Sequence, residues 1–292
     1  MSQVTTAFKI EDFFPSYPLY DDEKFVDKLS AKKEFESLSR YATKEENFFK
    51  HQKFTEIFLS PYTPYDRLFL YQETGTGKTS SACLVARNFI FDENVVKYYF
   101  RKKPLILVKS DIIKETFINE ITRICDKERF KEVFAKKVVS KASITSALNK
   151  YYEISGWESF TGNTNKFIGG SKLFDNMSKD DLVKEFSNRI IIIDEVHNLR
   201  GTKDSYKILK ILRHARGSKV ILLSATPMFD KVSEIVYIIN LINFDKEPIT
   251  VNELRKNRFR LKEYLYSLLK GKISYVRQHE KVARVIQQGK EI

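Results

Sequence analysis

The chain has 292 residues, 42% of them hydrophobic, so it can build a sizeable core as one large domain or two small ones. Its 51 Lys and Arg outnumber 38 Asp and Glu, a formal charge of +13 that points to a polyanion such as nucleic acid, or to a dispersed Lys-rich surface. Cys83 and Cys125 form no C-x-x-C pair, the N-terminus lacks a basic segment followed by an apolar one, and the apolar runs at 190–193 and 235–242 are short, which argues against zinc, a disulfide framework, a signal peptide and a bilayer span and leaves a soluble intracellular protein as the expectation.

Residues 1–42, with DFFPSYPLYDD, read as an aromatic-rich extended arm carrying one helix, packed on the domain or on a partner. Thr43 to Glu46 form a capping box opening a helix whose face carries Phe48, His51 or Gln52, Thr55 and Phe58 or Leu59, and Pro61 follows its end. An apolar run from Leu68 to Tyr71 then enters a Gly-containing turn that delivers Gly77, Lys78 and Thr79, followed by small residues suited to a helix start. This is the strand, loop and helix of a phosphate-binding P-loop, with Gln72 standing where the full pattern has Gly. Phosphates need several backbone N–H groups pointing inward, and Gly75 and Gly77 allow that close approach. The helix adds its positive dipole end, Lys78 can reach the β- and γ-phosphates, and the Thr79 hydroxyl can ligate Mg²⁺.

A helix at 80–91 and a short buried strand, LILVKS after Pro104, come next. The spacing predicts an amphipathic helix over 111–124 and a third strand in VFAKKVVS, ending near Ser140. Residues 155–180, rich in Gly, Ser and Asn, read as a loop or insertion. A helix at 180–186 precedes two strongly apolar strands, 189–194 and 219–224, with a helix at 205–215 between them. From Val232 the chain reads as helical, with ISYV at 273–276 as a last strand. In the stretch 254–272 Leu254, Leu261, Leu265 and Leu268 read as an inward stripe with solvated bases, or Arg255, Lys256, Arg258 and Arg260 contact phosphates. Strands alternating with helices imply βαβ units, hence an α/β fold with a mostly parallel sheet flanked by helices, and such sheets bind ligands at the carboxyl ends of their strands. The division expected is 1–42 as arm, 43–245 as the nucleotide-binding domain and 246–292 as a helical segment leading into a second domain.

The strand ending in Asp194 and Glu195 supplies two carboxylates at its carboxyl tip. In a P-loop ATPase the first holds Mg²⁺ and the second orients or deprotonates the attacking water. His197 either begins a helix or links this site to the next strand, which ends in Ser224, Ala225 and Thr226.

TGTGKT, DEVH and SATP, in this order, resemble motifs I, II and III of superfamily 2 helicases and translocases of the DExH type, and LILVKS resembles motif Ia. The stretches HQKFTEIFLSPYTPYDRLFLYQETGTGKT, SATPMFDKVSEIVYIINLIN and LLKGKISYV are similar to the branch found in large cytoplasmic DNA viruses, which includes poxvirus transcription-associated nucleoside triphosphatases. The resemblance spans roughly 45–278 and implies a RecA-like ATP-binding domain. It gives Gln52 to adenine, Thr74, Gly75, Thr76, Gly77, Lys78 and Thr79 to the phosphates, Thr79 and Asp194 to Mg²⁺, and Glu195 to catalysis as base, with Lys78 and Asp194 in support. His197, Ser224 and Thr226 would couple hydrolysis to movement, and Lys109 and Ser110 would touch the nucleic-acid backbone. It implies ATP and Mg²⁺ as cofactors and DNA or RNA as partner. It further implies RNA polymerase or transcription-factor subunits as partners, no membrane, and a viral factory in the host cytoplasm or the virion as location. It also implies a second RecA-like domain supplying arginines to the γ-phosphate, so the 292 residues alone are expected to hydrolyse ATP weakly. A helicase-like subunit serving as an interaction module is the alternative; a P-loop kinase or GTPase gives SATP no purpose.

Overall fold

The computed structural model describes residues 17–40, 48–90, 100, 102–136, 138–157, 177–226 and 232–277. Two short helices, α1 (Phe25–Ser30) and α2 (Lys33–Glu36), open the described chain, and α3 (Lys50–Phe58) follows. The core alternates: β1 (Arg67–Gln72), α4 (Lys78–Arg87), β2 (Leu105–Val108), α5 (Asp111–Glu120), a π-turn at Ile121–Cys125, α6 (Lys127–Phe134), α7 (Lys141–Leu148) and β3 (Glu153–Gly156). Then come α8 (Lys179–Phe186), β4 (Ile190–Ile193), a 3₁₀ turn at Val196–Leu199, α9 (Lys203–His214), β5 (Lys219–Ser224) and α10 (Val232–Ile242). The last described elements are α11 (Val251–Lys256), a 3₁₀ turn at Arg258–Arg260, α12 (Leu261–Leu269) and β6 (Ile273–Val276).

All six strands form one sheet in the order β3-β2-β4-β5-β1-β6. Every pairing is parallel, with Leu68 opposite Ile221, Ile106 opposite Ile192 and Leu70 opposite Ser274. A parallel sheet must be covered on both faces, and the strand residues divide accordingly. Leu68, Leu70, Ile106, Ile192 and Leu223 face a core with the N-terminal helices, α3, α4 and α5. Phe69, Leu107, Ile191, Ile193 and Leu222 face a second core with α8, α9 and α10. The result is three layers, helix on sheet on helix.

The described part of the N-terminal arm packs on the domain. Phe25, Leu29 and Phe35 are buried, the Tyr65 hydroxyl donates to the Pro18 carbonyl at 2.9 Å, and Phe58 stacks on Tyr65 with centroids 4.3 Å apart. The capping box at Thr43 lies outside the described residues; the described helix begins at Lys50. Most of the insertion expected at 155–180 also lies outside them, and its first two residues belong to β3.

The third strand is misplaced in the sequence reading. VFAKKVVS is not a strand: Val133 and Phe134 end α6, and Val138 is 82% exposed, so nothing there has a sheet face to cover. The strand that pairs with β2 is Glu153–Gly156, buried through Ile154 and Ser155. The inward Leu stripe after α10 also needs correction. Leu254 is buried, Leu261 is 38% exposed, and Leu265 and Leu268 are half-buried. Among the described residues no helix is long and apolar enough to cross a membrane.

Candidate nucleotide and nucleic-acid site

Four strands deliver the candidate residues to one end of the sheet. β1 leads through Glu73 to Gly77 into α4, β2 ends before Lys109 and Ser110, β4 before Asp194 and Glu195, and β5 at Ser224. Gly75 and Gly77 both hold left-handed backbone, with φ of 83° and 82°. Gly77 has a second constraint, because a Cβ there would sit 2.1 Å from Gln52 Nε2.

α3 clamps this loop from outside. His51 Nε2 lies 2.9 Å from the Thr76 carbonyl, and Gln52 Nε2 donates to the Gly77 carbonyl at 3.2 Å. Gln52 Oε1 accepts from the Phe49 N–H at 2.8 Å. Gln52 is thus buried with both ends of its amide engaged by the chain itself. Thr76 donates to the Glu73 carbonyl at 2.6 Å and is buried, while Thr74 is exposed at the loop tip and Thr79 stands half-buried in the first turn of α4. Lys78 folds over the loop, donating to the Gln72 carbonyl at 2.8 Å. Burial pulls its pKa down, and the charges of Glu195 and Asp194 oppose that fall.

The two carboxylates are unlike. Asp194 is buried, its N–H bonds to the Leu107 carbonyl at 2.9 Å, and burial together with the Glu195 charge pushes its carboxyl up to about 7. A buried carboxylate poised near neutrality is a site that a cation would satisfy. Glu195 adopts left-handed backbone (φ 50°), uncommon for a residue with a side chain, and this turns the chain out of β4. Its carboxyl is held below the usual range, chiefly by the hydrogen bond with His197, whose Nδ1 lies 3.1 Å from Glu195 Oε2.

His197 Nδ1 also lies 2.9 Å from Ser224 Oγ, and Ser224 Oγ accepts from the Thr226 N–H at 3.1 Å. Glu195, His197, Ser224 and Thr226 therefore form one network across β4 and β5. Lys109 is exposed and reaches the same network through Asn198, donating to Asn198 Oδ1 at 3.0 Å. Ser110 instead caps α5, its hydroxyl receiving the Ile113 N–H at 3.5 Å.

Asn198 and Arg277 escape the sequence reading, and Gln72 enters it only as a departure from the P-loop pattern. Asn198 joins Lys109 to His197, and no pattern marks it beyond its place directly after DEVH. Gln72 is fully buried, its Nε2 reaches Ser274 Oγ on β6 at 3.4 Å, and its Oε1 has no hydrogen-bond partner among the described residues. Arg277, just past β6, places Nε 3.3 Å from Glu73 Oε1, and the Glu73 N–H bonds to the Val276 carbonyl at 3.1 Å, so the end of β6 is tied to the start of the loop after β1.

The model of the SNF2-related domain family matches residues 51–261, more than half of the chain. "Putative helicase 087L" of Invertebrate iridescent virus 3 is 27% identical over 290 residues, covering 92% of this chain and 27% of that protein. "Putative ATP-dependent RNA helicase L377" of Acanthamoeba polyphaga mimivirus is 28% identical over 255 residues, covering 75% of this chain and 22% of that protein. The chain thus spans about a quarter of the length of these relatives. In structure it is similar to the Sulfolobus solfataricus SWI2/SNF2 ATPase core in complex with dsDNA, with a TM-score of 0.50, 14% identity, and coverage of 84% of this chain and 44% of that one. That likeness extends to the fold, a RecA-like layered α/β unit.

Proposed function

Since the chain belongs to the SNF2-related domain family, within the superfamily 2 helicases, we propose that it is the Mg·ATP-binding half of a nucleic-acid-dependent ATPase that moves along nucleic acid. One observation carries this reading: Lys78, Asp194, Glu195 and the His197–Ser224 pair converge at the carboxyl ends of adjacent strands, beside a loop with two left-handed glycines. The residues fit the nucleotide. Gly75 and Gly77 would let phosphate oxygens meet backbone N–H groups at the start of α4. Lys78 would leave its loop carbonyls for the β- and γ-phosphates. Mg²⁺, bound through one or two protein ligands plus phosphate oxygens and water, suits Thr79 with the buried Asp194. The metal would neutralise charge on the transferring phosphoryl group.

The chain's own residues then have distinct tasks. Glu195, displaced from the strand line by its backbone, would take a proton from the attacking water or orient it. His197 and Ser224 would link that carboxylate to β5, and Thr226 would pass movement onward. Gln52 supports the phosphate loop in the geometry present, and a role at adenine would require it to leave Gly77 or Phe49. Arginines facing the γ-phosphate would come from a second RecA-like domain, in cis or in trans. Family membership, the charge of +13 and the duplex bound by the Sulfolobus neighbour favour duplex DNA as the first substrate to test, with RNA beside it. The viral relatives support a setting in viral transcription, with polymerase or transcription-factor subunits as partners.

The test is ATP hydrolysis by the 292-residue chain with and without DNA or RNA, beside Lys78→Ala. Weak basal turnover raised by nucleic acid and lost in Lys78→Ala is expected. Hydrolysis insensitive to that substitution would remove the reading.

A further inference from the structure

The side-chain amide of Asn198 has its orientation fixed by its neighbours. An ammonium only donates, so Lys109 Nζ, 3.0 Å away, must face Asn198 Oδ1. Asn198 Nδ2 is then turned toward His197 Nε2, at 2.9 Å, and donates to it. A ring nitrogen that accepts carries no proton, so in this arrangement the ring proton sits on Nδ1. That N–H is shared between Ser224 Oγ at 2.9 Å and Glu195 Oε2 at 3.1 Å. The exposed tip of β2 is thereby connected, bond by bond, to the carboxylate assigned to the attacking water.

We infer that Asn198 is a positioning residue that reports nucleic-acid contact at Lys109 to Glu195 through the tautomer of His197; this rests on the ATPase reading above. When a backbone phosphate takes Lys109, no other described residue holds Asn198 Oδ1 outward. The amide turns over and presents Oδ1 to the imidazole. One proton leaves Nδ1 for solvent and one is taken from solvent at Nε2, so the count of protons on the ring is unchanged. Nδ1 now accepts from the Ser224 hydroxyl, and Glu195 loses the hydrogen bond that had engaged it. The carboxylate is free for water only when nucleic acid is in place.

The tautomer is readable directly. Nitrogen-15 histidine spectra of the whole 292-residue chain, with His197→Gln to assign the signal, are expected to show Nδ1–H in the free protein. A short DNA duplex, or Lys109→Ala, converts it to Nε2–H. Asn198→Asp keeps a partner for Lys109 but can only accept from the ring, so it fixes Nε2–H without DNA. In hydrolysis, Asn198→Ala and Asn198→Asp raise basal kcat about fivefold, the worth of roughly one hydrogen bond, leave KM for ATP unchanged and shrink stimulation by DNA to match.

Nε2–H in the free wild type, a tautomer indifferent to Lys109→Ala, or an equal fall of basal and stimulated rates in the Asn198 variants would overturn the inference. DNA-stimulated, Lys78-dependent hydrolysis without a tautomer change sinks the relay and leaves the ATPase standing. Absence of hydrolysis sinks the ATPase reading, while the spectra still decide whether Lys109 sets the ring.

Discussion

At the scale of single residues, two positions carry opposed demands of folding and chemistry. Asp194 titrates higher in the folded chain than in the unfolded one, so between about pH 4 and pH 7 the folded state binds the extra proton. Stability without Mg²⁺ therefore declines as pH rises through that window. Asp194→Asn removes the decline, and thermal unfolding followed from pH 4 to pH 8 should show it more stable than wild type by about 4 kcal/mol at the upper end while Mg·ATP protection disappears. Gly77→Ala should act the other way. Its φ of 82° disfavours any side chain and its Cβ would displace Gln52, so a loss of about 2 kcal/mol or more in thermal unfolding is expected, with weakened nucleotide binding. The sequence marks Lys78, Thr79, Asp194 and Glu195 as candidates because phosphate chemistry restricts residue type, and the structure brings all four to one end of the sheet. It passes over Asn198 and shows Gln72 only as a departure from the pattern, because neither residue type says where its amide points.

At the scale of elements, β1, β2, β4 and β5 are legible because buried parallel strands are nearly continuous in Leu, Ile and Val. β3 is not, since EISG is as short and mixed as a loop and owes its conformation to pairing with Leu105 to Val108. A three-residue apolar cluster such as Val133, Phe134 and Val138 can equally belong to a helix end and a surface turn, and here it does. β6 deserves a test of its own. It is an edge strand with one partner, joined to the phosphate loop through the Glu73 N–H to the Val276 carbonyl at 3.1 Å and through Gln72 and Ser274. Ser274→Pro places a ring in the ladder opposite Leu70 and should lower stability by about 3 kcal/mol. ATP affinity, measured by titration calorimetry, should fall in the same variant, because the loop loses its flanking strand.

At the scale of the whole molecule, the excess of positive charge makes any association with nucleic acid dependent on released counterions. Duplex affinity measured by anisotropy should drop steeply as salt rises from 50 to 200 mM, by about tenfold for every two phosphate contacts. Lys109→Ala should flatten that slope by about one unit. Strand order also sets a timetable. β1 precedes the other five strands of the sheet in chain order, yet its neighbours are β5 and β6, which pair with it from Val220 and Ile273 onward. β2, β3 and β4 can zip together while Leu68, Phe69 and Leu70 still have no strand beside them. A nascent chain must therefore carry an unpaired apolar strand for some 150 residues of elongation, a long-range closure of the slow-folding kind. The loop that follows β1 gains its flanking strands only late in synthesis, so a nucleotide bound there as proposed would not shelter the nascent chain, and co-expressed holding chaperones should raise its soluble yield more than added ATP does.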